Sequence, residues 1–342
     1  MSKQQSRYAL IIGNGRSGTN WLLTMLDASD RTHCRNEPQE ILQSPYHQLP
    51  NPPLIGDTAQ QMAEKWDQFV QWSAQTMGER DLKITNPKQH VYPWSQKLGM
   101  AYLPVRPKVQ SLLRPIVPAL QRGEWPMPGW IANRDRLQQA LAVLKVNDLK
   151  AWTADWIFQH RPEVPVIHIT RHPGGQLNSG IKRFFSILSP QEQDAERLLY
   201  QNILKQAVTV HPEWANVFGA IDQLSLVEAV AWFWRYNNEM IFRVGQRSPR
   251  YLPVVYEDLV QNPLHYAQKI YSLCDIPWTP EAEAIIQEGL GTSVWGDLDK
   301  TPIAVAYAWK QKLAPEYQAI AQQVLQGSLM EKWWTNEVGH PE

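Results

Sequence analysis

The sequence predicts a three-layer α/β sandwich, with a central, mostly parallel sheet flanked by helices. Three observations carry that prediction. The apolar run Ala9-Leu10-Ile11-Ile12 enters a glycine loop and then an apolar helix start, Trp21-Leu22-Leu23. A second apolar run, Val164 to Thr170, breaks at Arg171-His172-Pro173-Gly174-Gly175 and is followed by another helical pattern. Strand-length apolar segments recur at 141–145 and 250–256 with helical patterns between them. Strand, crossover helix and strand in repetition make a parallel sheet covered on both faces. With 342 residues, 43% of them apolar and 19% charged, the chain is long and apolar enough for a substantial core.

In order along the chain, the first strand leads into Gly13-Asn14-Gly15-Arg16-Ser17-Gly18-Thr19-Asn20. A glycine loop that opens a helix turns backbone N–H groups and the positive end of the helix dipole toward one point, which suits a phosphate-like anion. The turn is P-loop-like, but Gly18 is followed directly by Thr19, without the lysine that reaches the outer phosphates of a nucleoside triphosphate. An amphipathic helix is expected over 59–78, where Met62, Trp66, Phe69, Val70 and Met77 recur at near-helical spacing. Asp81 to Thr85 reads as a short strand. Residues 44–135 as a whole read as a helical insertion on the acceptor side of a single domain spanning 1–342.

Leu141-Ala142-Val143-Leu144-Lys145 is the next strand, followed by a helix through Trp152, Trp156 and Ile157. Val164 to Thr170 suits a central parallel strand with Pro165 at its first residues. Gln176 to Phe185 follows as a helix, then long helices over 191–210 and 225–245. Arg250 to Tyr256 is a strand whose interior Pro253 places it nearer an edge. Helices near 262–273, 280–289 and 314–326 complete the fold. In such sheets ligands collect beyond the carboxyl ends of the strands, so the chemistry is expected in the loops at Gly13–Thr19, after Lys145, at Arg171 and after Tyr256.

The totals exclude several classes of function. Thirty-three basic and 33 acidic residues balance to zero net charge, which gives no support to a nucleic-acid binder or a polybasic membrane binder. The N-terminus has no apolar leader and no segment reaches membrane-spanning length, so a cytoplasmic protein is expected. Two cysteines, Cys34 and Cys274, form no disulfide framework, and no cluster of ligands has metal spacing. Most of the sixteen tryptophans belong in the core, with some available for an aromatic acceptor cleft.

Taken together, these segments resemble the sulfotransferase family, in particular protein-tyrosine sulfotransferases and their bacterial relatives. Gly15 to Asn20 is similar to the family's 5′-phosphosulfate loop, with Arg16 where cytosolic members have lysine. Ile167 to Arg171, with Ser179 eight residues on and Arg183 four beyond, is similar to its 3′-phosphate motif. Lys145 on an upstream strand, Glu37 after the first βα unit, Tyr256-Glu257-Asp258-Leu259, and Lys300 before a tryptophan helix at Trp309 complete the pattern. The resemblance covers the chain outside about 44–135. His172-Pro173-Gly174-Gly175 departs from it, where the family has charged residues.

The resemblance implies 3′-phosphoadenosine 5′-phosphosulfate (PAPS) as donor, 3′-phosphoadenosine 5′-phosphate (PAP) as product, and a hydroxyl-bearing acceptor (carbohydrate, lipid-like or small-molecule alcohol). By the same resemblance Arg16, Ser17, Gly18, Thr19 and Asn20 hold the 5′-phosphosulfate, and Arg171, Ser179 and Arg183 hold the 3′-phosphate. Tyr256 packs beside the adenine and Lys300 joins the donor site. Lys145 and Arg16 stabilise departing charge, and Glu37 is the general base, with His33 as the alternative. Lys83 competes with Lys145, since it lies in a similar Leu-Lys-Ile setting. His168, alternating within its strand, reads as a core or supporting residue. The rival readings are a P-loop ATP-binding kinase or regulatory protein, and a scaffold that binds an adenine nucleotide without turnover. On its own each arginine also reads as a surface ion pair, and Glu37 as a solvated residue before Pro38; the set in order carries the functional reading.

Overall fold

The computed structural model describes residues 7–41, 43–52, 57–76, 81, 139–289 and 302–335. Five strands form one parallel sheet: β1 (Tyr8–Gly13), β2 (Thr32–Asn36), β3 (Leu141–Asn147), β4 (Val166–Thr170) and β5 (Tyr251–Val255), in the order β2-β3-β1-β4-β5. Alternation along the strands divides the core. Leu10, Ile12, Leu144 and Val146 face one cluster, whereas Ala9, Ile11, Val143, Ile167 and Ile169 face the other. Helices α1 (Thr19–Asp27) and, later, α8 (Pro263–Leu273) cover the second cluster; α2 (Asp57–Gln75), α3 (Ala151–His160), α5 (Pro190–Val210) and α6 (Leu226–Gly245) cover the first. The three layers are those the sequence predicts.

Between α3 and α5 lies α4 (Pro173–Ser186), and after β5 the chain continues as α7 (Tyr256–Gln261), α8 (Pro263–Leu273), α9 (Pro280–Gly289), α10 (Pro302–Tyr307), α11 (Trp309–Lys312), α12 (Pro315–Leu325) and α13 (Lys332–Thr335). The two long helices begin at capping boxes, Ser189 with Glu192 and Ser225 with Glu228, in which each serine accepts from the glutamate N–H and each carboxylate answers the serine N–H. Pro253 sits in β5, an edge strand, where its missing N–H costs no ladder bond. Among the described residues, no helix is long and apolar enough to cross a membrane.

Three elements differ from expectation. β2 has no apolar signature, Thr-His-Cys-Arg-Asn, yet all five residues are buried. It is an edge strand covered by α2: the Arg35 guanidinium donates to the Ser73 and Ala74 carbonyls at the C-terminal end of that helix. Helix α4 starts at Pro173 rather than Gln176, because Pro173 has the fixed φ of a first helical position. The short helix α10 carries too few residues for a periodic signal. The described part of 44–135 is chiefly α2, which buries Met62, Trp66 and Phe69 in the first cluster beside Trp156. The strand read at Asp81 to Thr85 lies outside the described residues except for Asp81, as does Lys83.

Candidate active site

The carboxyl ends of the five strands deliver Gly13, Glu37, Asp148, Arg171 and Tyr256 to one edge of the sheet. The loop after β1 is the tightest of these. A side chain at Gly13 would collide with the Ile169 carbonyl oxygen, so only glycine lets β1 run this close to β4. Gly18 adopts φ 99°, and a Cβ there would lie 2.5 Å from the Tyr256 ring. Arg16 is also left-handed, at φ 73°, a conformation that is costly for a non-glycine residue. The loop is braced from outside: Gly15 N–H donates to the Asp148 carboxylate (3.1 Å), and Gln176 of α4 donates to the Gly15 carbonyl (3.0 Å).

Ser17 stands differently from expectation. Its N–H and its hydroxyl both donate to the Asn14 carbonyl, at 3.2 and 2.7 Å, and the residue is fully buried. It closes the loop from inside rather than facing its mouth. Gly18, Thr19 and Asn20 open α1; their N–H groups precede the first intrahelical acceptor, the Gly18 carbonyl, which takes the Trp21 N–H (2.9 Å).

Beside the loop, Lys145 is 1% exposed. Its ammonium meets the side-chain carbonyls of Asn20 and of Asn36 (2.6 Å), and the Glu37 carboxylate at 3.0 Å. Asn147 donates to the same Glu37 oxygen (2.5 Å). Glu37 itself has φ 56° and a partly exposed side chain, so a strained backbone holds the carboxylate at the cluster's rim. A buried ammonium needs such acceptors. His33 is buried within β2, at 1% exposure, away from this rim.

The second turn, after β4, lies against the first. Arg16 Nε donates to the Ser179 hydroxyl (2.7 Å), and Arg171 Nη1 reaches the Arg16 carbonyl at 3.4 Å. The Arg171 guanidinium lies 4.5 Å over the Tyr256 ring, which also lies against Gly18 and meets the Trp21 ring edge-on. Tyr256 is thus a floor shared by both turns, and its phenol is raised in pKa by burial. Arg171 Nη2 donates to the Val305 carbonyl (2.9 Å), and its Nε is buried without a partner. The backbone of Arg183 is in α4, but its side chain lies outside the described residues, as does Lys300.

A buried chain of hydrogen bonds supports the first loop from below. Asn238 of α6 spends both amide hydrogens, on Asn14 Oδ1 (2.8 Å) and the Trp234 carbonyl (2.7 Å). Its Oδ1 therefore accepts from His168 Nε2–H (2.9 Å), which leaves His168 Nδ1 to accept from the Tyr251 hydroxyl (2.8 Å). Burial lowers the pKa of His168 to about 4, consistent with a neutral ring. Sequence reasoning placed His168 in the core or in support. It missed Asn238, Asp148, Gln176, Asn36 and Asn147. A polar residue directly after a buried strand was the available signal for Asp148; Asn238, on an amphipathic helix seventy residues from His168, offered none.

The chain matches the sulfotransferase family over residues 9–280. It belongs to that family. Solved structures similar to it are the sulfotransferase domain of the Synechococcus PCC 7002 olefin synthase (18% identity, 94% of this chain and 96% of that one, TM-score 0.43) and the sulfotransferase domain of the curacin biosynthetic pathway (15%, 93% and 97%, 0.45). Sulfotransferase STF9 from Mycobacterium avium matches at 12% identity over 98% of this chain and 78% of that one, with a TM-score of 0.39. No curated protein matches the sequence significantly.

Proposed function

We propose that this sulfotransferase moves the sulfuryl group of PAPS to an acceptor hydroxyl by in-line displacement. The observation that carries the reading is the Arg16–Ser179 hydrogen bond of 2.7 Å, which joins the turn after β1 to the helix α4 that follows β4 and Arg171. Two guanidinium groups in adjoining turns suit one small molecule with two separate anionic ends, and a fork such as Arg171 suits a phosphate. ATP has no second anion for the β4 turn to hold, and the loop lacks the lysine that ATP loops carry.

The donor supplies an activated sulfuryl group on a phosphate leaving group. Arg16 and the first-turn N–H groups of α1 hold the 5′ end, while Arg171 and Ser179 hold the 3′-phosphate, with Arg183 and Lys300 as further ligands carried over from the family pattern. Glu37 accepts the acceptor's proton as the new O–S bond forms, a role that requires hydrogen-bond reach to that hydroxyl. Lys145 favours the ionised form of Glu37 and places positive charge beside the departing oxygen. The protein's contribution is mostly positioning and charge stabilisation. The acceptor is a carbohydrate, lipid-like or small-molecule alcohol. The protein acts in the cytoplasm as one domain, with 44–135 shaping the acceptor side.

Calorimetry with PAP and with ATP, each with and without magnesium, tests the donor. PAP is expected to bind more tightly, independently of magnesium. Magnesium-dependent preference for ATP overturns the reading in favour of a nucleoside-triphosphate site.

A further inference from the structure

The departure from the family pattern at His172-Pro173-Gly174-Gly175 has a structural counterpart far along the chain. The Trp309 ring of α11 lies on the face left bare by Gly174: a Cβ there would lie 2.5 Å from the indole. The same indole stacks on His172, with centroids 4.2 Å apart and planes 10° from parallel. At Gly175 an added Cβ would meet Arg171 Nε at 2.7 Å, so the second glycine makes room for the guanidinium itself.

The turn is fixed from every side. Gly174 N–H donates to His172 Nδ1 (3.0 Å), so a neutral imidazole caps α4. His172 N–H donates to the Glu257 carboxylate (3.2 Å), whose other oxygen accepts from the Trp334 indole (3.1 Å). Trp234 donates to the Arg171 carbonyl (3.1 Å). Four residues before Trp309, the Val305 carbonyl holds one arm of the Arg171 fork.

We propose that Trp309, seated on Gly174, is a positioning residue for Arg171: it pins the segment Pro302–Lys312 so that the Val305 carbonyl sets the guanidinium, and thereby confers preference for nucleotides that carry a 3′-phosphate. The proposal rests on the PAPS reading above. The aromatic strap docked on the glycine holds the fork by packing and a carbonyl contact. A fork held in place loses less freedom on meeting an anion than a loose one.

The test is calorimetry of the full chain with PAP and with adenosine 5′-phosphate, which lacks the 3′ group. The readout is the ratio of the two affinities, which a general loss of stability does not move. Trp309→Leu is expected to weaken PAP by about tenfold or more, the worth of a charge-assisted bond, with adenosine 5′-phosphate unchanged. Gly174→Ala, whose methyl displaces the indole, should do the same, and Gly174→Ala with Trp309→Leu should be no worse than Trp309→Leu alone. Retention of the wild-type ratio in both single variants overturns the proposal, as does an additive loss in the double variant. If Trp309→Leu fails to fold cooperatively, Gly174→Ala decides. A wild-type protein with no preference for PAP overturns the donor reading first, and this one with it; a wild-type preference that survives the substitutions overturns this one alone.

Discussion

The turns after β1 and β4 leave neighbouring parallel strands and face each other, but they present positive charge by opposite means. The first is a backbone device. Its glycines permit close approach, its N–H groups open α1, and its one cation, Arg16, is exposed on a strained residue. The second is a side-chain device, a guanidinium only 6% exposed and set by aromatic packing, a glycine pair and a carbonyl from a distant helix. Each is backed by a buried histidine of the same strand end: His168 through Asn238 for the first, His172 as a cap for the second. A backbone device recognises any phosphate-like group that fits, whereas a placed fork selects position. Under the proposed donor reading the first turn anchors and the second discriminates.

The largest effect separates both turns from the chemistry between them. Glu37→Gln keeps the shape of the residue but removes the base, and should lower sulfuryl transfer by about a hundredfold to ten-thousandfold while leaving PAP affinity within a few fold. Single-turnover release of PAP from PAPS with a panel of alcohol acceptors measures the rate, and calorimetry the affinity. A parallel loss of rate and affinity would mean that Glu37 supports the loop rather than the reaction. In that case the Lys145–Glu37 ion pair of 3.0 Å belongs to the anchor.

The next effect tests the wiring of the first turn. Asn238→Leu leaves Asn14 Oδ1 and His168 Nε2–H without their partner in a buried setting, while the Trp234 carbonyl keeps its helical N–H. Buried groups left unpaired cost about 1–3 kcal/mol each, so a loss of about 2 kcal/mol or more in urea unfolding is expected. Because the damage falls on the anchor, PAP and adenosine 5′-phosphate should weaken together and their ratio should hold. That outcome is the mirror of Trp309→Leu; a changed ratio would erase the distinction between the two turns.

The legibility of these two regions in sequence follows the same division. The first turn could be read because its chemistry is contiguous: glycines, arginine and helix start lie within eight residues. Arg171 and Ser179 were legible as a spacing after a buried strand. What holds Arg171 was not, because Val305 reaches it directly, and Trp309 and Glu257 through Gly174 and His172, and no spacing in the sequence joins those segments to the turn. β2 was hidden for a related reason. Its Arg35 is satisfied by carbonyls of α2, so a polar strand is buried without any apolar pattern to announce it. Ser17 shows a different limit. Its place in the motif suggested a ligand, and no local pattern announced that its N–H and hydroxyl donate to the Asn14 carbonyl.

The smallest effect at neutral pH, and one that grows on acidification, concerns the two histidines. Burial lowers His168 to about 4; burial, with Lys310 and Arg171 adding to it, lowers His172 to about 3. An unfolded histidine takes up its proton near pH 6.5. Below that pH the unfolded chain therefore binds protons that the folded one refuses, and stability falls as pH falls. The slope is about 1.4 kcal/mol per pH unit for each histidine, and it is lost for His168 below about 4 and for His172 below about 3. Half-buried His211, also lowered by burial, acts in the same direction, while the raised carboxyl of Glu257 opposes it at lower pH. Urea titrations between pH 7 and 5 should show stability level above 6.5 and declining below. His172→Asn offers the cap an amide oxygen in place of Nδ1, so it should lessen the decline without lowering stability at pH 7 by more than about 1 kcal/mol, the usual scale of a cap. An undiminished decline in that variant would show that His172 is not the neutral acceptor its contact with Gly174 N–H requires. The second turn would then need another source of rigidity.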